Sequence, residues 1–378
     1  MGTPLEALPT VSVPAIEQLL PTINLPPAKT ITILNTKAEY HVIALLTWND
    51  QEDLILRIAG PHVPRTKTEN EVAVITWLQR NTKIPVPAVV HHDSSTDNPL
   101  GCEYVLQKRL KGQSLDLVWP SLTEDEKLKI YDFMVEVLRE LTSHEWKHIA
   151  SLRLTAEGEI VPGPVLDERF WEARDIEKYF PPGETVESLN PLGPYSSYVE
   201  FSIARLEKSM HAIRKHESLA FMRPHLPLLE DFIEALREDS KKLNRTNLCL
   251  AHRDLHMGNI MYDVEGHTVT GILDWEFSVV MPVQQGELSR AFMHDLVDDG
   301  GWGERKGKML EVLRERSQEE GGGDVVERFG YVSEDQEEMQ EVVDLVRAIV
   351  EVSPRGQREG ERMGWRDEVL EILEGWMD

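Results

Sequence analysis

The chain has 378 residues, 41% of them hydrophobic, and its 66 acidic against 40 basic residues give a formal charge of −26 at pH 7. This length and apolar content exclude an intrinsically disordered chain and suffice for two lobes with separate cores. The acidic balance disfavours a nucleic-acid binder, whose phosphate contacts need a basic surface. It leaves room for a cationic substrate, although residues 301–378 alone hold 21 acidic against 11 basic residues, as solvated helical faces do. Cys102 and Cys249 stand far apart in apolar runs, without disulfide-framework or metal-ligand spacing. No stretch nears the ~18 continuous apolar residues of a membrane span. No basic residue precedes Lys29, so neither a secretory signal nor an Arg-rich transit peptide is expected. The expectation is a reduced, cytoplasmic protein with neither membrane nor nucleic acid as partner.

Residues 1–27 carry prolines at 4, 9, 14, 21, 26 and 27 around one short helical candidate, Ala15–Leu20. They are expected to form an arm lying on the body or partly mobile. From Ile31 the pattern turns β-rich: ITIL, YHVIALLTW, a turn at Asn49-Asp50, then LILRIAG. Residues 28–110 therefore read as a small antiparallel sheet with one helix. In LILRI, Leu54, Leu56 and Ile58 share one face, Ile55 and Arg57 the other. The helix is VAVITWLQR, preceded by Thr68-Glu69-Asn70-Glu71. Glu71 can close a capping box with Thr68; lying three, four and seven residues before Val74, Ile75 and Leu78, it can instead share their inward face. Gly101–Gly112 reads as a strand running out into a hinge.

Residues 111–300 read as a larger, mainly helical lobe. Thr123-x-x-Glu126 is a capping box opening a helix in which Tyr131, Met134, Leu138 and Leu141 form a core stripe. Residues 152–198 are rich in Pro, Gly and aromatics and read as long loops with short elements; helices follow around 199–216 and 226–243. Residues 301–378 read as an acidic helical extension, broken at Gly321-Gly322-Gly323 and Ser353-Pro354-Arg355-Gly356.

The chemistry concentrates in residues 248–276. An apolar run, Leu248–Ala251, enters a loop holding His252-Arg253-Asp254 and Asn259; two strand-like runs then flank a turn at Asp263–His267, and Asp274-Trp275-Glu276 follows. An Asp five residues before an Asn, with a second Asp beyond a hairpin, brings one proton acceptor and two oxygen ligands for Mg2+ to one cleft edge. That set suits transfer of a γ-phosphoryl group to a hydroxyl.

HRDLHMGN followed by ILDWE resembles the aminoglycoside phosphotransferase and choline kinase-like superfamily, with fungal-type phosphotransferase enzyme family proteins nearest. Ile84-Pro85-Val86-Pro87 resembles the segment these proteins carry after the first helix, and the resemblance spans roughly residues 30–300. It implies an α+β, two-lobed protein-kinase-like fold and an ATP- and Mg2+-dependent kinase of a small hydroxyl compound. By this resemblance Asp254 would be the catalytic base, His252 a structural brace for the loop, and Asn259 and Asp274 the Mg2+ ligands. Arg57 would be the phosphate-binding cation, unless it is an exposed strand arginine, and Glu71 would pair with it instead of capping. Backbone groups near Gln107–Leu110, those of Gln107 and Arg109 among them, would hydrogen-bond adenine. Glu276, and less so Glu287, would face the acceptor or cap the next helix.

Two features depart from the pattern. Asn35–His41 contains no glycine, whereas a phosphate-covering loop uses glycine for close backbone approach, and no GxxxxGK[ST] replaces it. Phe277–Glu287 is short and no Ala-Pro-Glu follows, so a small molecule rather than a peptide is the expected acceptor. The glycine-free loop keeps open a pseudokinase that binds a ligand without turnover, whereas the joint presence of Asp254, Asn259 and Asp274 favours an enzyme.

Overall fold

The structure, a computed structural model, describes residues 8–35, 40–286, 302–319 and 323–377. The glycine-free residues Thr36–Glu39, together with Glu287 and Gly321–Gly322, lie outside the described residues. Five antiparallel strands build the smaller lobe: β1 (Thr30–Ile33), β2 (His41–Thr47), β3 (Leu54–Ala59), β4 (Val89–Asp93) and β5 (Tyr104–Lys108), in the order β1-β2-β3-β5-β4. Alternation sorts the side chains of β3. Leu54, Leu56 and Ile58 join Ala44, Leu46, Tyr104 and Leu106 in one core, and Arg57 takes the other face.

That apolar face is closed by α1 (Val13–Thr22), which inserts Ile16, Leu19 and Leu20. The Ser12 hydroxyl caps α1 by accepting the Ala15 N–H at 3.3 Å. Pro14 sits in the first turn, where a missing N–H leaves no bond unmade. Of the two alternatives for the arm, residues 13–22 take the first and lie on the body, packed into the core of the smaller lobe.

The opposite face of the sheet meets α2 (Thr66–Asn81), ten of whose sixteen residues are buried, Lys67, Asn70 and Glu71 among them. A helix without a solvent face lies between two bodies; here these are the sheet and the strand Leu152–Leu154 of the larger lobe. Because α2 starts at Thr66, Thr68 lies inside the helix and the Thr68–Glu71 capping box does not form.

The larger lobe holds β6 (Gln113–Ser114), the hairpin β7 (Leu152–Leu154) and β8 (Ile160–Pro162), and β9 (Leu248–Ala251), β10 (Ile260–Asp263), β11 (Thr268–Ile272) and β12 (Val279–Pro282). β10 pairs with both β11 and β6, and β9 with β12. The chain enters this lobe through Gly112, whose φ is 101°. A Cβ there would lie 2.1 Å from the Tyr262 carbonyl oxygen, so only glycine fits. α3 (Glu124–Ser143) opens on a formed Thr123/Glu126 capping box and packs Ile130, Met134, Leu138 and Leu141 in one core with Leu250 of β9 and Ile272 of β11.

Two helices, α4 (Tyr198–Lys215) and α5 (Leu226–Glu238), occupy the stretches read as helical, and α6 (Trp302–Glu319), α7 (Glu334–Val352) and α8 (Arg362–Met377) follow. Leu206, Met210, Phe232, Val346 and Leu373 share a core, so α7 and α8 complete the helical layer of the larger lobe. Their acidic side chains mark its solvent face. Among the described residues no helix is long and apolar enough to cross a membrane.

Asn70 staples this arrangement together. Its Nδ2 donates to the carbonyls of Glu276 (3.0 Å) and Ser278 (2.8 Å), and its Oδ1 accepts the N–H of Leu152 at 2.8 Å. Asn70→Leu would leave three buried backbone groups without partners, at roughly 1–3 kcal/mol each. Urea unfolding is expected to register a loss of more than about 3 kcal/mol; a loss below about 1 kcal/mol would show that the amide does not hold the lobes.

Candidate active site

The loop between β9 and β10 is fixed by side chains that fold back on it. His252 is buried, with Nε2 2.7 Å from the Leu273 carbonyl and Nδ1 accepting the Asp254 N–H at 3.3 Å. A carbonyl partner demands Nε2–H and an amide partner demands a bare Nδ1, so the geometry selects the neutral, Nε2-protonated ring. Trp275 packs on that ring at 4.4 Å. Arg253, with φ 71°, turns its guanidinium to Asp167 Oδ2 (2.9 Å) and the Leu166 carbonyl (3.2 Å). Asp254 beside it keeps a half-exposed carboxylate, 3.6 Å from His256 Nε2. The side-chain amide of Asn259 donates to the Asp254 carbonyl at 2.9 Å, which leaves the Asn259 side-chain oxygen for another partner.

Asp274 follows β11 with φ 68° and accepts from Arg57 Nη2 at 2.7 Å. Arg57 Nε lies 3.2 Å from Glu71 Oε1, and Gln107 Nε2 donates to the same oxygen at 3.1 Å. One guanidinium therefore joins β3, α2 and the Asp274 turn. Burial opposes its charge, yet Glu71 and Asp274 raise its pKa above the ordinary arginine value. For Asp274 burial pushes upward, and Arg57 more than reverses it, holding the carboxylate below its usual range.

Two buried residues beside this group escaped the sequence reading. Lys67 Nζ is 3.1 Å from Glu276 Oε2 and 5.2 Å from the Tyr40 ring centroid, and His41 Nε2 is 3.4 Å from the same oxygen. Burial, with Lys67 and Arg57 close by, drives the His41 pKa well below its usual value, so the ring is neutral. A signal for each existed. Lys67 lies four residues before Glu71, on the same helix face. His41 pairs with Ala59 while Ile43 pairs with Arg57, which puts His41 on the Arg57 face of the sheet. His41, Glu71 and Glu276 present ligand atoms within 4.8 Å of one another. Because Lys67 and Arg57 already supply positive charge to them, the group is an ion-pair cluster.

Two expectations need correction, those for Gln107 and Arg109. Glu276 is 2% exposed, held by Lys67 and His41, and lines the recess at Asp254. Gln107 lies within β5, opposite Ile55 and Val89, and serves through its side chain rather than through a free backbone group. The Arg109 N–H donates to the Asp53 carbonyl at 3.0 Å and its guanidinium pairs with Asp53 at 2.8 Å, so it is not a free hinge donor. The structure does bring Arg57, Glu71, Asp274 and Glu276 into one cluster. Tyr40, Glu168, Arg253, Asp254, Asp274 and Glu276 line a recess of about 40 Å³, room for little more than one water or ion.

A two-lobed fold with this cluster at its cleft defines a kinase-like phosphotransferase class. The phosphotransferase enzyme family model matches residues 30–286, and the chain belongs to that family. It is 25% identical over 309 residues to a subtelomeric hrmA-associated cluster protein of Aspergillus fumigatus, covering 68% of this chain and 59% of that protein. It is 27% identical over 220 residues to the clavilactone A biosynthesis cluster protein Y of Ampulloclitocybe clavipes, covering 57% and 51%. The chain thus spans between half and three-fifths of the length of these relatives. Among solved structures, the ternary complex of streptomycin, ATP and the phosphotransferase APH(2")-IIa matches with a TM-score of 0.53 at 13% identity, over 96% of this chain and 97% of the other. That likeness establishes the fold.

Burial lowers the pKa of His252 below its ordinary 6.5, although the Leu273 carbonyl and Asp274 pull the other way. As pH falls through 6.5 the unfolded chain binds the proton first, so stability is full above that pH and declines below it. The decline is at most about 1.4 kcal/mol per pH unit for each such histidine. Urea unfolding of the wild type is expected to weaken between about pH 7 and about pH 5.5, and His252→Gln is expected to weaken less. Equal slopes would mean that folding does not lower the pKa of His252.

Proposed function

We propose that the chain transfers the γ-phosphoryl group of ATP to a hydroxyl of a small molecule, with Asp254 as base and Asn259 and Asp274 as Mg2+ ligands. The observation that carries this reading is the Arg57 bridge, which holds Asp274 at the cleft beside the Asp254 loop. The donor set suits a hard cation: the Asn259 side-chain oxygen and the Asp274 carboxylate are oxygen ligands. Asn259 and Asp274 would hold Mg2+, which would supply positive charge to neutralise the nucleotide phosphates. Arg57, kept in place by Glu71, adds fixed positive charge for the phosphates. As the acceptor oxygen bonds to the γ-phosphorus and the bond to ADP breaks, Asp254 takes the hydroxyl proton. His252 keeps the loop in register as a neutral brace. The APH(2")-IIa complex with streptomycin and ATP supports both a nucleotide and a small hydroxyl acceptor.

The test separates binding from chemistry. Mg-ATP at about 100 times its Kd would stabilise the wild type by roughly 2.7 kcal/mol. Asp254→Asn is expected to keep that thermal shift while ATP turnover with an accepted substrate falls about 10²–10⁴-fold. Asp274→Asn is expected to lose the shift. Full turnover by Asp254→Asn would remove Asp254 as base, and a shift without turnover in the wild type would favour a ligand-binding module, the role to which the glycine-free loop points.

A further inference from the structure

A cavity of about 600 Å³ lies in the larger lobe between residues 165–171, α4, β12 and α7. This volume is in the range of small-molecule sites. It opens beside the catalytic loop. Asp167 and Arg169 line the cavity, Glu168 between them lines the recess at Asp254, and Arg253 lines both.

Its charge runs against that of the chain. In a protein of formal charge −26, five cations line this cavity against three carboxylates among the described residues. Each carboxylate is already matched: Asp167 by Arg253 at 2.9 Å, Asp344 by Arg205 at 2.6 Å, and Glu351 by Arg347 at 2.8 Å. Arg169 and Lys208 remain. Neither pairs with a carboxylate of this cavity: Arg169 Nε forms an ion pair at 3.6 Å with Glu168, which lines the neighbouring recess, and Lys208 Nζ donates to the Glu187 carbonyl at 2.5 Å. The Glu187 carboxylate has its pKa lowered by its own backbone N–H and by Thr185, and Lys208 is near enough to lower it further. The guanidiniums also crowd one another. Burial lowers the proton affinity of Arg347, and Arg205 and Arg169 lower it further. Burial would raise Asp167, yet Arg253, Arg347 and Arg169 hold it far below the carboxylate range, so it stays ionised and its charge stays consumed. A cationic ligand would enter against this field; an oxyanion would relieve it and find donors suited to bidentate contact. Phe170, Trp171 and Phe201 add an apolar wall.

We propose that this cavity binds a hydroxyl compound bearing an oxyanion, carboxylate or phosphate, received by Arg169 and Lys208, with an apolar body against Phe170, Trp171 and Phe201. Resting on the phosphotransferase reading, this compound is the acceptor. A cationic acceptor, for which the net charge of the chain leaves room, does not suit the cavity.

Four probes of one skeleton test the charge preference: para-(hydroxymethyl)benzoate, para-(hydroxymethyl)phenyl phosphate, para-benzenedimethanol and para-(aminomethyl)benzyl alcohol. Their dissociation constants are measured by calorimetry or saturation-transfer NMR on the full chain without nucleotide, so failure of Mg-ATP binding or turnover counts against the kinase reading alone. At least one anionic probe is expected to bind tenfold or more tighter than the neutral and cationic ones. Arg169→Gln/Lys208→Gln orphans no carboxylate of the cavity and is expected to abolish that preference. Arg214→Gln, at an exposed pair with Glu230, is expected to preserve it. Tighter binding of the amine, equal or undetectable binding of all four, or an anion preference that survives the double variant would overturn the proposal.

Discussion

The Arg57 guanidinium is the constraint on which the site depends. It sits between Glu71 of α2 and Asp274 of the catalytic segment, with contacts of 3.2 and 2.7 Å. Each partner alone would be a poorly solvated carboxylate, and together they would repel. Removing one member of such a buried set strands the others, which typically costs about 3–5 kcal/mol. The three groups are therefore best understood as one unit, whose value lies in fixing where Asp274 stands more than in net stability. Lys67 and Glu276 repeat the arrangement one helical turn earlier along α2. On this one helix Lys67 and Asn70 reach Glu276 and Ser278 directly, and Glu71 acts through Arg57.

How far this could be read in the sequence depended on the range of the determining interactions. Strand alternation in LILRI put Arg57 opposite Leu54, Leu56 and Ile58, and the structure agrees because period-2 geometry is local. The Thr123/Glu126 cap formed for the same reason. Thr68 and Glu71 had the same spacing, but α2 begins two residues earlier, and a partner 14 residues upstream claims Glu71. Lys67 and His41 were legible only after α2 had been docked and the β2–β3 register known, because a buried lysine is placed by its tertiary partner. The α1 segment was masked by its prolines: Pro14 and Pro21 fall in the first and last turns, where they disturb least, and the apolar face that recruits the helix belongs to the sheet.

Net charge proved a poor guide to local charge. The excess of acidic residues lies largely on solvated helix faces, where screening over about 8 Å at physiological salt limits its reach. Inside the larger lobe, where screening is weak, arginines from α4, α7 and the catalytic loop set the potential instead. The same α7 that supplies exposed acids to the surface supplies Arg347 to the interior.

The family match ends at residue 286, but the cavity wall does not. Asp344, Arg347 and Glu351 come from α7, beyond that limit, and the core of the smaller lobe is completed by α1, before the match begins at residue 30. Part of the cavity wall is thus encoded in a stretch of the gene separate from the Asp254 loop. Substitutions in α7 can change what enters the cavity without touching the loop that holds Asp254.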